Sequence, residues 1–387
     1  MITLLVIDSG GIGAAPDAAE FGDQGANTLG HALSRKPFRL PHLVGLGLGR
    51  LVQWPGAAAD VAPTGASAVI HPAARGKDTL AGHWEMMGVI VEHPFRTYPG
   101  GFPADVVARL ETAFGRPLLG NRAASGTAII AELGAEHMAT GRPIVYTSAD
   151  SVLQIACHEE VVPVETLYDW CHAARTIMTG PNLVGRIIAR PFVGEPGHFV
   201  RTPRRHDYAV EPPSGIFTER FAAAGVHLEA VGKIWDIFSG RGFETPHPTV
   251  SNADGLRQTG ELMRALCGQR AFVFANLVDF DSQYGHRRDP EGYARALAEL
   301  DDAVPELLAA LGPADQLWIT ADHGCDPTWP GSDHTRENVP LLVGGPRVRP
   351  GLLAARNTLA DIGQSLGEAF GTPLPAVGRS FWEEVTA

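Results

Sequence analysis

Residues 316–322 read QLWITAD, a short apolar run that ends in an acidic residue. Its apolar side chains follow one another without the alternation of a strand that has one face in water, which predicts a strand buried on both faces. Runs of this kind are typical of parallel sheets covered by helices on both sides. Three more segments have the same character, at 2–8, 271–281 and 339–345.

The segment between the runs at 271–281 and 316–322 has helical periodicity. Its apolar residues recur at spacings of three and four, at Tyr293, Leu297, Leu300, Val304 and Leu307. A strand, a helix and a second strand in this order form a crossover unit. The predicted fold class is therefore α/β, with a mostly parallel sheet flanked by helices.

The middle of the chain is predicted to form a second domain. Segments rich in Pro, Gly and Arg lie at 92–103 and 201–213, and such segments are typical of domain boundaries. Between them we expect helices near 104–114, 126–139 and 165–179 and strands near 143–147 and 185–192. Residues 96–212 are thus predicted to be a smaller α+β cap inserted into a core domain of residues 1–95 and 213–387. A cap above a sheet edge would close a cleft.

Composition and charge disfavour several classes of partner. The chain has 387 residues and a formal net charge of −12, which disfavours nucleic acids and anionic membranes as partners. Its four cysteines have no paired spacing, which predicts reduced thiols in the cytoplasm. The opening MITLLVIDSGG lacks a basic flank and carries an early Asp, so we interpret it as a buried strand and not as a signal peptide or membrane span.

Acidic residues and histidines follow the predicted strands at the points where these strands end. In open α/β sheets, ligands bind beyond the carboxyl ends of the strands. Three aspartates and three histidines are therefore expected at one edge of the sheet, which is enough for two divalent ions. They are Asp8, Asp281, His286, Asp322, His323 and His334.

Simpler interpretations exist for these residues. A single Asp after a strand is usually a helix cap or a turn residue. Asp279 shares a strand face with Asp281 by alternation, and Asp333 could replace or support His334, so periodicity alone leaves both choices open. Cys325, next to this group, is expected to be a bystander.

The segment GKDTLAGHWEMMG, residues 76–88, is the second group of chemical interest. A threonine hydroxyl becomes a useful nucleophile beside a base or a metal ion, and Thr79 is the candidate here. The alternative is structural, with Asp78 or Thr79 as a helix N-cap. His83 and Glu85 lie close to Thr79 in sequence and receive no predicted role.

Four motifs together resemble the phosphopentomutase family of the alkaline phosphatase superfamily. They are VIDSGGIGAAPDA (6–18), KDTLAGHWEMMG (77–88), NLVDFDSQYGHRRDPEGYA (276–294) and TADHGCDPTWPGSDHTREN (320–338). The resemblance runs almost end to end and implies an alkaline-phosphatase-like core. It also implies that Asp281, His286 and His334 hold one ion and that Asp8, Asp322 and His323 hold the other. The Thr79 oxygen would be a further ligand.

The same resemblance implies the reaction and its cofactors. The expected activity interconverts ribose or deoxyribose 1-phosphate with the 5-phosphate, through phosphorylated Thr79 and a 1,5-bisphosphate. The expected metal is Mn²⁺, although this ligand set would also accept Zn²⁺ or another divalent ion. Glucose 1,6-bisphosphate or ribose 1,5-bisphosphate is the expected activator, and small-molecule pentose phosphates are the expected partners. The sequence carries no prediction of the oligomeric state.

Substrate-binding residues are expected mainly in the cap, because arginine matches phosphate oxygens and a cap would retain the bisphosphate. The predicted set is Ser148, Asp150, Arg190, Arg201 and Lys233, with Arg204, Arg205 and Lys77 as further candidates. The main rival is a metal-dependent phosphatase, phosphodiesterase or sulfatase of the same superfamily. Further rivals are a cofactor-independent phosphoglycerate mutase and a metal-bound protein without catalysis.

Overall fold

The computed structural model describes residues 1–57, 61–148 and 151–386. Its strands are β1 (Ile2–Ile7), β2 (Ala66–Ile70), β3 (Leu119–Ala123), β4 (Ile144–Thr147), β5 (Val152–His158), β6 (Arg186–Val193), β7 (Val200–Arg201), β8 (His206–Ala209), β9 (His227–Val231), β10 (Thr245–His247), β11 (Ala271–Leu277), β12 (Gln316–Ala321), β13 (Val339–Gly344) and β14 (Gly351–Leu352). Its α-helices are α1 (Ala18–Phe21), α2 (Thr28–Leu33), α3 (Pro41–Leu46), α4 (Leu48–Leu51), α5 (Thr79–Met86), α6 (Ala104–Phe114), α7 (Gly126–Thr140), α8 (Val164–Ile177), α9 (Phe217–Ala223), α10 (Ile234–Phe238), α11 (Asn252–Ala265), α12 (Pro290–Ala309), α13 (Ala360–Ala369) and α14 (Trp382–Val385). None of the helices in these ranges is long and apolar enough to cross a lipid bilayer.

The larger of two compact units comprises Met1–Pro94 and Glu211–Ala387. Its eight-stranded sheet has the order β10-β9-β11-β1-β12-β13-β2-β14, and the strands from β10 to β12 run parallel. Helix α12 connects β11 to β12 across β1, and its predicted apolar residues are all buried. The predicted α/β class with helices around a mostly parallel sheet is confirmed.

One predicted strand runs in the opposite direction to its parallel neighbours. Strand β13 pairs antiparallel with β12 and with β2, although its continuous apolar sequence resembles that of the parallel strands. Burial on both faces produces the same sequence pattern for either direction, so the pattern could not distinguish them. The reversal places the loop before β13 at the carboxyl edge of β12. His334 therefore lies at the same edge as Asp322.

A second correction concerns the strand predicted at 271–281. Strand β11 ends at Leu277, and Phe280–Gly285 form a π-helical turn in which His286 N donates to Asp281 O at 3.0 Å. Asp279 and Asp281 therefore do not share a strand face as predicted, because neither residue lies in a strand. Single π-helical turns occur frequently at functional sites.

The smaller unit comprises Phe95–Val210. Its sheet has the order β3-β4-β5-β6-β7, and β8 also pairs with β6. Helices α6 and α8 cover one face with an apolar cluster that includes Phe114 and Trp170, and α7 covers the other face around Ile129 and Phe192. The helices and strands predicted here are confirmed to within two residues at each end, but β3, β5, β7 and β8 were missed.

Candidate metal centre and nucleophile

Two groups of potential metal ligands lie in the larger unit. The first is Asp281, His286 and His334, and the second is Asp8, Asp322 and His323; within each group the ligand atoms lie within 4.8 Å of one another. The sheet positions the second group, because Asp8 directly follows β1 and Asp322 directly follows β12. The π-helical turn supplies Asp281, with His286 directly after it.

The imidazole rings are oriented so that their Nε2 atoms point into these groups. His286 Nδ1 lies 2.7 Å from Ser332 O, and His323 Nδ1 lies 3.1 Å from Gly324 O. A carbonyl oxygen can only accept, so each Nδ1 carries the hydrogen and each Nε2 keeps a lone pair. His286 Nε2 lies 3.2 Å from Asp281 Oδ2 and 3.1 Å from His334 Nε2. Rings held in this way by a backbone carbonyl are typical of metal ligands.

The carboxylates leave oxygen atoms that only a cation would satisfy. Both oxygens of Asp8, Oδ1 of Asp281 and Oδ2 of Asp322 are buried and have no hydrogen-bond donor among the described residues. Burial, together with the charge of Asp322, raises the pKa of Asp8 well above its ordinary value. Unpaired buried carboxylates are costly, and divalent cations offset that cost. The residues present therefore fit two divalent metal ions.

The charge states of the second group favour binding by imidazole and carboxylate. Burial lowers the pKa of His323 to about 4, so its ring is neutral near pH 7. Burial raises the pKa of Asp322, but His323 and His83, which carry charge when protonated in acid, outweigh it and hold that pKa at about 2, so the carboxylate is charged near pH 7. Asp322 Oδ1 accepts from Ser9 N at 3.0 Å. Ser9, whose amide donates this hydrogen bond, has a left-handed backbone conformation with φ of 76°.

Thr79 is the first residue of helix α5 and lies beside the second group. Its Oγ1 is 3.3 Å from His323 Nε2, and Asp78 is the N-cap of the helix, with its side chain accepting from Ala81 N at 3.1 Å. Asp78 therefore has the structural role considered for this segment, while the hydroxyl of Thr79 faces the candidate ligands. Strand β2, which ends at Ile70, precedes this segment.

The alternative ligands have other partners. Asp279 Oδ2 accepts from Asn252 N at 2.8 Å, at the start of α11. Asp333 Oδ2 lies 3.2 Å from Lys77 Nζ, and Lys77 also pairs with Asp23 at 3.1 Å. Burial raises the pKa of the Cys325 thiol well above its ordinary value, so it stays protonated. Of the two candidate lysines, Lys233 is closer to the ligands, with Nζ 3.9 Å from Asp8 Oδ2.

The predicted substrate residues of the cap lie in the smaller unit, except Asp150, which is outside the described residues. Arg204 and Arg205 are ion-paired with Glu159 and Asp207. Among described residues, Arg190 and Arg201 form no ion pair, and Arg190 Nε donates to Gln154 Oε1 at 3.0 Å. Ser148 is half-buried directly after β4.

Two residues at the site were not among the predicted functional residues, His83 and Asn276. His83 is fully buried, and its Nδ1 lies 3.2 Å from Asp322 Oδ2 and 2.9 Å from Thr79 O. Asn276 Nδ2 lies 3.2 Å from His83 Nε2. A histidine inside a short apolar helix was the available signal for His83. A single Asn within the otherwise apolar strand β11 was the signal for Asn276.

Gly82 permits the close approach of α5 to Asp322. A Cβ at Gly82 would lie 2.4 Å from Asp322 O and 2.8 Å from Asp322 Cβ. We expect Gly82→Ala to lower the free energy of unfolding by about 1–3 kcal/mol, because backbone has to move to relieve the clash. Chemical denaturation measures this. Gly260→Ala is the matched control, since its Cβ would be 3.5 Å from the nearest atom, and equal effects of the two variants would contradict the prediction.

The Glu85 carboxylate connects the loop before Thr79 to the segment at Thr358 and Leu359 through hydrogen bonds. Its Oε1 accepts from Ala73 N, Thr358 Oγ1 and Leu359 N at 2.7–2.8 Å, and its Oε2 accepts from Ala74 N at 2.7 Å. We expect Glu85→Gln to destabilise the protein by about 2 kcal/mol or more, because the amide directs a donor at another donor. Thermal and chemical unfolding measure the loss. Glu136→Gln, at an exposed ion pair, should change stability far less, and a Glu85→Gln protein as stable as the wild type would refute the role.

This chain is similar to several known proteins. The family model described as the metalloenzyme superfamily matches residues 1–374, so the chain is a member of that superfamily of metal-dependent enzymes. Phosphopentomutase from Carboxydothermus hydrogenoformans is 50% identical, over 99% of this chain and 99% of that protein. Phosphopentomutase from Anaeromyxobacter dehalogenans strain 2CP-1 is 52% identical, over 100% of this chain and 99% of that protein. The solved phosphoglycerate mutase of Leishmania mexicana is 14% identical and aligns over 98% of this chain and 97% of its own, with a TM-score of 0.45.

The chain belongs to the phosphopentomutase family and is an enzyme of the isomerase class. The family resemblance found in the sequence motifs is thereby confirmed. The two ligand groups and the family model also confirm the coarser prediction of a divalent metal enzyme.

Proposed function

We propose that this enzyme interconverts ribose 1-phosphate, or its 2-deoxy form, with the 5-phosphate through a phosphorylated Thr79. The observation that carries the proposal is the position of Thr79 Oγ1, 3.3 Å from His323 Nε2 and at the first turn of α5. The amide groups at a helix N-terminus favour an anion, so a phosphoryl group on this oxygen would be stabilised there. Lys233 offers a further positive charge near Asp8.

The six carboxylate and imidazole residues would hold two divalent cations in this proposal. Such cations, when bound, supply charge stabilisation to the attacking and leaving oxygens of an in-line phosphoryl transfer. Oxygen and nitrogen donors without thiolate suit Mn²⁺, and they would also accept Zn²⁺. We favour Mn²⁺, with Cys325 outside the ligand set because its thiol is protonated.

Two phosphoryl transfers complete the cycle. In the first, the C1 hydroxyl of ribose 5-phosphate attacks the phosphorus on Thr79, the bond from phosphorus to Thr79 Oγ1 breaks, and ribose 1,5-bisphosphate forms. The bisphosphate then reverses its orientation, and Thr79 Oγ1 takes the 5-phosphoryl group to leave ribose 1-phosphate. No phosphate is released, so the reaction is an isomerisation. A bisphosphate such as glucose 1,6-bisphosphate or ribose 1,5-bisphosphate would phosphorylate Thr79 at the outset.

The smaller unit is proposed to act as a cap that excludes water and binds the distal phosphate. Exclusion of water separates a mutase from a phosphatase. Arg190 and Arg201 are the proposed phosphate contacts. Both lie close enough to the buried Tyr146 for their charges to lower its pKa, although burial has the larger effect and raises that pKa. The guanidinium of Arg201 is also near the start of α7, because its Nη1 would lie 3.6 Å from a Cβ placed on Gly126. Ser148 and Asp150 are proposed to bind the phosphate and the sugar hydroxyls.

The cytoplasm is the proposed compartment. Cys157, Cys171, Cys267 and Cys325 are all free thiols, which fits a reducing environment. The proposed substrates, phosphorylated pentoses, would be metabolites of the cytoplasm.

Phosphorus NMR tests the proposed reaction. The Mn²⁺-activated protein is incubated with ribose 5-phosphate and a trace of glucose 1,6-bisphosphate, and the metal is removed by chelation before the spectrum is recorded. We expect ribose 1-phosphate to grow to a fixed ratio without inorganic phosphate. Stoichiometric release of inorganic phosphate would instead establish a phosphatase and contradict both the mutase reaction and the role given to the cap.

A further inference from the structure

His83 lies between the candidate nucleophile and a candidate metal ligand. Its Nδ1 is 2.9 Å from the carbonyl oxygen of Thr79 and 3.2 Å from Asp322 Oδ2. The Thr79 carbonyl oxygen accepts a hydrogen bond from it, whereas the contact with the Asp322 carboxylate is a close electrostatic one. The hydrogen is therefore on Nδ1, where one N–H faces the backbone of the nucleophile and the carboxylate of the ligand together.

Asn276 acts on the opposite side of the ring. Its amide nitrogen lies 3.2 Å from His83 Nε2, and an amide nitrogen can only donate. Nε2 must then be the unprotonated nitrogen, which gives the same tautomer as the contacts of Nδ1. Two independent contacts thus assign a neutral ring with its hydrogen on Nδ1.

Packing holds the ring in this position. His83 and Asn276 are 0% and 1% exposed, so water does not compete for these hydrogen bonds. The ring stacks on Phe274 with 5.7 Å between centroids and an interplanar angle of 26°. Asn276 is in β11, next to β1, and Gly82 lets α5 approach Asp322 closely. The ring has no role in the proposed chemistry and does not contact Thr79 Oγ1 among the contacts described.

We propose that His83, kept in its Nδ1–H tautomer by Asn276, is a positioning residue that couples the first turn of the Thr79 helix to the carboxylate of Asp322. This inference rests on the proposed roles of Thr79 and Asp322. Side chains that contact metal ligands and orient them change metal affinity by about 10–100-fold when they are removed. The same ring fixes the backbone of the nucleophile, so its loss lowers kcat more than it raises KM.

The tautomer is tested directly by long-range proton–nitrogen NMR of histidine side chains. The protein is labelled with ¹⁵N-histidine and loaded with Mg²⁺, which is diamagnetic, and the signals of His83 are identified by their loss in His83→Asn. We expect a protonated Nδ1 and an unprotonated Nε2, and a mixture of tautomers in Asn276→Leu. A wild-type ring protonated on Nε2, or on both nitrogens, overturns the proposal.

Positioning is tested by the pair His83→Asn and His83→Leu. The Asn amide nitrogen occupies the place of Nδ1 and keeps the donor, whereas Leu has a similar bulk and no donor. We expect His83→Leu to weaken Mn²⁺ binding about 10–100-fold and to lower kcat with little change in KM, and His83→Asn to recover a large part of both. Equal Mn²⁺ affinities for the two variants, at either the wild-type or a weakened level, overturn the proposal.

A matched control comes from another His–Asn pair in the same unit. His71 Nδ1 lies 2.7 Å from Asn338 Oδ1. His71→Leu removes a comparable contact, and we expect Mn²⁺ affinity to stay within about twofold of wild type, below the range for lost ligand contacts. An equal loss of affinity in His71→Leu overturns the proposal, since the effect would then be general. Failure of the proposed function is separate, because activity retained in Thr79→Ala would refute the nucleophile and leave the tautomer and the Mn²⁺ affinities unchanged.

Discussion

Thr79→Ala is expected to lower phosphopentomutase kcat/KM by at least about 10³-fold, because it removes the oxygen that we propose carries the phosphoryl group. The fold should persist. Thr79 is the first residue of α5, alanine is favourable in helices, and Asp78 remains the N-cap. Coupled assays of ribose 1-phosphate formation measure the activity. Mass spectrometry of the intact protein, after treatment with glucose 1,6-bisphosphate, measures the phosphorylation, which should be absent from the variant.

Two further variants make the Thr79 experiment specific. Thr79→Ser keeps a hydroxyl and should keep measurable activity and phosphorylation. Thr112→Ala removes an exposed hydroxyl that donates to Ala108 O at 2.8 Å in α6, and it should behave as the wild type. Activity of Thr79→Ala within tenfold of wild type, or phosphorylation that persists in it, would show that another residue is the nucleophile.

Asp8→Asn is expected to have opposite effects on the metal-free and the metal-loaded protein. Without metal, both oxygens of Asp8 are buried without a described donor and lie near the charges of Asp322 and Asp281. Removal of one charge should raise the free energy of unfolding by about 1–3 kcal/mol. With Mn²⁺, the variant lacks a charged ligand, so its affinity for the ion should fall by at least about 10²-fold, the upper end for removed supporting residues. Activity should fall with the affinity.

Unfolding after chelation and at a series of Mn²⁺ concentrations measures both effects. The metal-dependent gain in stability, which follows the ratio of free metal to its dissociation constant, should be smaller for Asp8→Asn. Asp301→Asn is the control, because the buried Asp301 carboxylate accepts from Leu43 N at 2.7 Å and should lose stability with or without metal. If Asp8→Asn destabilises the metal-free protein as Asp301→Asn does, the carboxylate is structural and the metal assignment of Asp8 is wrong.

Much of the core was predictable from the sequence because it depends on patterns of short range. The apolar runs that form β1, β11, β12 and β13 are continuous, and the apolar period of α12 is regular from Tyr293 to Leu307. Residues directly after β1 and β12 follow from the ends of these runs. Asp8, Asp322 and His323 could thus be placed at one edge before any coordinates were known.

Other features depend on contacts that are distant in sequence. The direction of β13 is decided by pairing with β12 and β2, which its own residues do not encode. The choice of Asp281 over Asp279 depends on a π-helical turn, for which strand alternation gave no signal. His83 was left without a role because its partners, Asn276 and Asp322, are respectively 193 and 239 positions away in the chain. Such residues are recognised only once the packing is known.

The π-helical turn at Phe280–Gly285 makes this part of the site sensitive to chain length. Its i→i+5 hydrogen bond encloses one residue more than the i→i+4 hydrogen bond of an α-helix. In an α-helix, successive side chains are rotated by about 100° around the helix axis. Loss of a single codon within 282–285 would therefore turn His286 away from Asp281 while leaving both residues present.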